Sequence, residues 1–130
     1  MNVVDSSAWL EYFANGPNAG FFARAIEKTS HLLVQSLILY EVFKRVLQQR
    51  DEGAALQAVA VMQQGTVVDL DAPLALAAAR LSVEHHLPMA DSVILATARG
   101  QAAVLWTQDA DFKGMPGVEY RKQGFSKDAS

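Results

Sequence analysis

Asn2-Val3-Val4-Asp5-Ser6-Ser7 opens the chain with an apolar run that ends on a carboxylate and passes at once into helix-starting residues. Asn2 to Asp5 reads as a short buried strand, and a helix through Ser6 to Phe13 follows it directly. Ser6 or Ser7 is expected to cap the free N–H groups of that helix, leaving the Asp5 carboxylate to face the rim of a sheet. A strand running straight into a helix is the opening of an α/β fold.

The same pattern recurs outward from this point. Asn15-Gly16-Pro17-Asn18 breaks the first helix, and Phe21, Phe22, Ala25 and Ile26 recur at helical spacing until about Lys28. Leu32 to Gln35 is a second strand. Ser36 opens a helix with Leu39, Val42, Phe43, Val46 and Leu47 on one face. Asp51-Glu52-Gly53 marks a turn before a helix over Ala54 to Met62. Thr66 to Leu70 is a third strand, after which Asp71 caps a helix with Pro73 in its tolerated first turn. Pro88 separates that helix from another, which begins near Ala90 and ends at Gly100. Ala103 to Thr107 is a fourth strand and Val118 to Tyr120 a short edge strand. The alternation predicts a mainly parallel sheet of four to five strands with helices on both faces, in one domain over residues 1–124. A flexible tail is expected at 125–130.

Composition narrows the chemistry. The chain has 130 residues, 51% of them hydrophobic and 19% charged, which fits a compact core and not disorder. Net charge is −3, so nothing in the overall balance suggests a protein that grips nucleic acid by charge alone. Bound divalent cations would change that balance locally. With no cysteine, thiolate zinc sites and cysteine nucleophiles are excluded. The start lacks the pattern of a signal peptide, and no apolar run approaches the ~18 residues of a membrane span. A cytoplasmic protein is expected.

Four acidic residues stand at the edges of apolar segments: Asp5, Glu41, Asp91 and Asp109. Each has an ordinary explanation. Asp5 and Asp91 suit helix N-caps, Glu41 suits a pair with Arg45, and Asp109 suits a loop. Strand ends and first helical turns, however, converge at one rim of an α/β sheet. Carboxylates gathered there repel one another unless they hold a hard cation, for which oxygen ligands are the natural choice. Asp111 is expected to be a turn residue or a cap. His31, His85 and His86 lack the spacing of a metal pair, and Trp9 and Trp106 belong to the core.

In order, Val4-Asp5-Ser6-Ser7, Tyr40-Glu41-Val42, Leu87-Pro88-Met89-Ala90-Asp91-Ser92 and Thr107-Gln108-Asp109-Ala110-Asp111-Phe112 resemble the PIN domain, in particular VapC-type toxin ribonucleases of toxin–antitoxin pairs. The resemblance covers nearly the whole chain. It implies a three-layer sandwich, one or two Mg²⁺ or Mn²⁺ ions, endonucleolytic cleavage of RNA (tRNA foremost) and inhibition by a cognate antitoxin. It also implies a homodimer and toxin–antitoxin hetero-oligomers. By position, Asp5, Glu41, Asp91 and Asp109 become catalytic metal ligands, Asp5 and Asp91 foremost, with Thr107 and Ser6 lining the site. Leu39 departs from the serine or threonine frequent in the family, and Lys44-Arg45 from a small residue. Lys44, Arg45, Arg99 and Lys113 are candidates for holding phosphate, against a reading as solvated helix charges. By resemblance, the products carry 5′-phosphate and 3′-hydroxyl ends.

Competing readings separate on detail. A haloacid dehalogenase-type phosphatase needs a second aspartate two residues after the first, where Ser7 stands. A receiver domain would accept Asp69 as phosphoacceptor but lacks the acidic pair at the first strand and the later lysine. The non-enzyme alternative is a catalytically silent PIN-like module that binds a partner helix, with Phe13, Phe21, Phe22 and Phe43 as a groove or as core.

Overall fold

The computed structural model describes residues 1–124; the tail expected at 125–130 lies outside the described residues. Five strands, β1 (Asn2–Val4), β2 (Leu32–Gln35), β3 (Thr66–Val68), β4 (Val104–Thr107) and β5 (Val118–Tyr120), form one sheet in the order β3-β2-β1-β4-β5. Every pairing is parallel, with Val4 beside Trp106 and Thr107 beside Tyr120. Six helices connect them: α1 (Ser6–Phe13), α2 (Ala19–Ile26), α3 (Ser36–Gln49), α4 (Glu52–Met62), α5 (Ala72–His85) and α6 (Met89–Gly100). This is the α/β sandwich expected, with five strands.

The order explains where a ligand can sit. From β1 the chain steps to β2 and then β3, moving toward one edge, and then crosses back to β4 on the other side of β1. Right-handed crossovers in opposite directions place α1–α4 and α5–α6 on opposite faces. Between β1 and β4 the connections diverge, and a crevice opens at their carboxyl ends, the position where open α/β sheets bind ligands. Asp5 follows β1 and Gln108-Asp109 follows β4, so both flank that crevice.

The three inner strands are apolar for a physical reason: both their faces are covered. Val3, Val4, Leu33, Val34 and Leu105 are buried, with Trp9, Phe22 and Ile94 packed on them from the helices. Trp106 is 9% exposed, so both tryptophans are core residues as expected. The edge strand β3 is largely exposed and shorter than expected, ending at Val68.

Helix starts differ from expectation in two places, at α4 and α6, each with a local cause. Asp51 caps α4, its Oδ1 accepting from Ala54 N at 2.8 Å, so the helix starts at Glu52. Asp71 caps α5 as expected, accepting from Leu74 N at 3.0 Å. At α6 the helix begins at Met89 with Pro88 as its cap residue, so Asp91 stands inside the first turn and is not an N-cap.

One buried polar latch ties β2 to two helices. Gln35, fully buried at the end of β2, accepts at Oε1 from Leu37 N at 3.1 Å and Ser36 Oγ at 3.0 Å, fixing the start of α3. Its Nε2 donates to Thr97 Oγ1 of α6 at 2.9 Å, and Thr97 in turn donates to Val93 O at 2.8 Å. The helix that carries Glu41 is thereby pinned to the helix that carries Asp91.

Candidate metal centre

Asp5 is the most enclosed member of the site, at 2% exposure. It caps α1 itself, with Oδ1 accepting from Ser6 N at 2.7 Å. The expectation that Ser6 or Ser7 would cap is therefore corrected. The serines cannot compete because the strand delivers Asp5 to the cap position, one residue earlier. Their hydroxyls turn back onto the carboxylate instead: Ser7 Oγ donates to Oδ2 at 2.9 Å and Ser6 Oγ approaches Oδ1 at 3.4 Å. Thr107 Oγ1, from the neighbouring strand, also donates to Oδ2, at 2.8 Å. Thr107 is fully buried and its oxygen accepts from Asp109 N at 2.9 Å, so one hydroxyl links two of the acids. Burial pushes the Asp5 carboxyl above its usual range; the bonds from Thr107 and Ser7 oppose this, and the charge of Asp109 reinforces it.

Glu41 projects from the second turn of α3. Its Oε1 is buried and has no hydrogen-bond partner. Burial raises its carboxyl, the charge of Asp5 raises it further, and the Ser6 hydroxyl pulls it back. The expected alternative, an ion pair with Arg45, does not form: among the described residues the one ion pair joins His85 and Glu84.

Asp91, Asp109 and Asp111 form a tight triad, each offering a carboxylate oxygen within 4.8 Å of the others. Burial, a hydrogen bond with Asp111 and the charges of Asp109, Asp5 and Asp111 push Asp91 up to about 8. Asp109 caps the short 3-10 turn Ala110–Phe112, with Oδ1 accepting from Asp111 N at 2.9 Å. Asp111 was expected only as a turn residue or cap. The turn brings it into the triad, because Phe112 is fully buried and anchors the segment against the core. The signal that could have found it is the spacing Asp109-Ala110-Asp111-Phe112, two acids followed by a buried aromatic after a strand.

The carboxylates thus gather without a cation of the chain's own. No lysine or arginine among the described residues is ion-paired to any of them. Such a set fits a hard divalent ion: the donors are all oxygen, the carboxyls of Asp5, Glu41 and Asp91 are raised by burial and by acidic neighbours, and Glu41 Oε1 is a buried acceptor with nothing to accept from. Beside them lies an open groove of about 460 Å³, bordered by Ser7, Asp109, Tyr120 and Lys122.

The four phosphate-binding candidates fall in different places. Lys113 directly follows the turn that carries Asp111 and is exposed. Lys44 and Arg45 are exposed on α3 just past Glu41, with the Lys44 ammonium 5.6 Å from the Tyr40 ring centre. Arg99 occupies the last turn of α6, roughly 12 Å along the helix axis from Asp91, and is the one the fold carries away from the acids.

Comparison with known proteins places this arrangement. No curated protein matches the sequence significantly. Solved structures do match. A chain of a toxin–antitoxin complex from Klebsiella pneumoniae superposes with a TM-score of 0.79 at 20% identity, covering 92% of this chain and 96% of that one. VapC20 of Mycobacterium tuberculosis, a Sarcin-Ricin loop cleaving toxin, superposes with a TM-score of 0.73 at 19% identity, over 89% and 95% of the two chains. PAE2754 of Pyrobaculum aerophilum is 26% identical, with a TM-score of 0.67 over 92% and 90%. The family model of the PIN domain matches residues 3–118, from within β1 to the start of β5, and the chain belongs to the PIN domain family.

Proposed function

We propose that this chain is a divalent-metal-dependent endoribonuclease and the toxin of a toxin–antitoxin pair. The observation that carries the reading is the buried, partnerless Glu41 Oε1 standing beside Asp5 in a carboxylate cluster that has no internal cation. A buried carboxylate oxygen without a partner is costly, and a bound cation would offset that cost. Asp5, Glu41, Asp91 and Asp109 would hold one or two Mg²⁺ or Mn²⁺ ions, and Asp111 joins them. Bound there, the metal would supply an activated water and charge stabilisation for phosphodiester hydrolysis.

The chain's own contribution is positional. Thr107 and Ser7 lock the Asp5 carboxylate in one orientation by donating to the same oxygen. Thr107 then sets the Asp109 backbone, and Asp109 sets Asp111. Gln35 and Thr97 fix the separation of α3 and α6, and hence of Glu41 and Asp91. Lys113 is the candidate best placed to steady a phosphate beside the acids, with Lys44 and Arg45 further along α3. RNA is the proposed substrate and tRNA the first class to test. Solved relatives include toxin–antitoxin complexes, which supports a cognate antitoxin as partner here.

The test compares wild type with Asp91→Asn, both freed of co-purified protein, on total tRNA with Mg²⁺, Mn²⁺ or EDTA. Discrete fragments that require metal and vanish with the substitution are expected. A folded wild type that cuts no RNA with either metal would sink the reading and favour the silent interaction module.

A further inference from the structure

Outside the carboxylate cluster, one group of side chains is built in a way the mechanism above does not use. Phe21 of α2 and Trp106 of β4 pack with their ring centres 5.1 Å apart and their planes tilted by 50°. The Arg121 guanidinium lies 4.2 Å from the Phe21 ring centre, and that of Arg24 lies 5.8 Å from both rings. Trp106 is itself held, its Nε1 donating to Asn2 Oδ1 at 2.9 Å. Two exposed guanidiniums are therefore ordered on a fixed aromatic floor.

This corner is continuous with the acidic site. The Arg121 backbone N–H donates to Thr107 O at 3.0 Å, next to the threonine that braces Asp5. The following residue is pinned as well: Lys122 O accepts from Asn18 Nδ2 at 2.9 Å, and the buried Asn18 side chain also donates to Gln108 Oε1 at 3.1 Å. Lys122 and Asp109 border the same groove of about 460 Å³. A line of three positive charges thus leads from the rim of the carboxylates down the α2–β5 corner of a chain whose net charge is −3. Glu119 lies on the same strand, yet among the described residues it pairs with none of them.

Stacking covers one face of a guanidinium and leaves its N–H edge free, which is the edge that binds phosphate in a fork. An arginine spent on core packing would bury that edge or pair it with a carboxylate. Ordering the side chain beforehand also lowers the entropy lost when phosphate binds.

We infer that Arg24, Arg121 and Lys122 form a track that binds successive phosphates of the RNA strand as it leaves the carboxylate cluster. The inference rests on the ribonuclease reading and adds to it where the substrate's backbone lies.

The experiment measures binding of a fluorescein-labelled single-stranded oligoribonucleotide and of unfractionated tRNA across a salt series, in an Asp91→Asn background with Mg²⁺ so that the RNA stays intact. Replacing Arg24 and Arg121 together by glutamine keeps most of each stem on the aromatic floor, and thermal unfolding checks the fold. The slope of log affinity against log salt is expected to flatten by about 0.7 for each arginine lost, the single-strand value. Arg121→Lys should restore its share, and Arg80→Gln, on α5, should change nothing. An unchanged slope in the folded double variant, while the wild-type chain still cleaves RNA, would overturn the track and leave the nuclease reading standing. Neither binding nor cleavage by the wild-type chain would overturn both.

Discussion

At the end of β2, Gln35 is buried with both ends of its amide bonded, and Thr97 passes the last proton on to a helix carbonyl. At the end of β1, Asp5 is equally buried and well bonded, but the acids around it are not: Glu41 Oε1 has no donor, and Asp91 is pushed up to about 8 by burial and by its acidic neighbours. Two adjacent parallel strands therefore end in polar clusters of opposite kinds. The first is closed and neutral, and its worth is structural. The second is open and acidic throughout, so that ionising it lowers stability unless something positive completes it. Satisfaction of hydrogen bonds, more than burial or polarity, separates the latch from the site.

The largest break in that comparison comes from neutralising the open cluster. Glu41→Gln is expected to cut RNA cleavage by on the order of a thousandfold, the scale of removing a group that acts on transition-state charge. The same change should raise the melting temperature of the metal-free protein, since it removes a carboxylate held above its usual range by burial and by Asp5. A variant that lost activity and stability together would show Glu41 to be part of the scaffold.

Thr107→Val is next in size. It deletes the hydroxyl that donates to Asp5 and accepts from Asp109, and metal affinity read by calorimetry should fall about 10- to 100-fold, as for other groups that orient ligands. Thr97→Val acts on the closed cluster instead. It leaves Gln35 Nε2 without its acceptor at a cost of about 1–3 kcal/mol in denaturant unfolding, with activity per folded molecule largely kept. If Thr97→Val proved as harmful to metal binding as Thr107→Val, the two clusters would not be separate.

The finest probe is pH. The folded-state carboxyls of Asp5, Glu41 and Asp91 all lie above their ordinary values, so between the usual carboxylate range and about 8 the folded state holds more protons than the unfolded. Unfolding free energy of the metal-free protein must then fall as pH rises through that window. Saturating Mg²⁺, which binds the ionised forms, should flatten or reverse the trend. Thermal melts from pH 5 to 8.5 with Mg²⁺ and with EDTA measure it, and a metal-free stability that rises with pH would contradict the raised values.

Much of this was legible in the sequence, because the information is local. Val3-Val4 before Asp5, and Leu105 before Thr107, mark strand ends that a parallel sheet must bring together, and Pro88 marks the start of the helix that carries Asp91. Asp111 escaped because an acid two residues after another looks like turn chemistry until Phe112 is seen to anchor the segment. The capping role of Asp5 stayed one of two readings because three adjacent side chains, Asp5, Ser6 and Ser7, can all cap, and only the register of β1 against β4 decides between them. The Phe21–Trp106–Arg121 stack had no local signature at all. Its members come from three distant segments, and the phosphate candidates read from sequence were instead Lys44, Arg45, Arg99 and Lys113.

The strand order has a temporal consequence. β1, made before the other four strands of this sheet, is its middle strand, and its Asp5 is braced by Thr107 across 102 positions of sequence. A chain still emerging from the ribosome carries Asp5 and Glu41 long before β4 exists to close the crevice around them. Half a site of this kind has neither the triad nor the brace. The carboxylate site is therefore not assembled until almost the whole described chain is made.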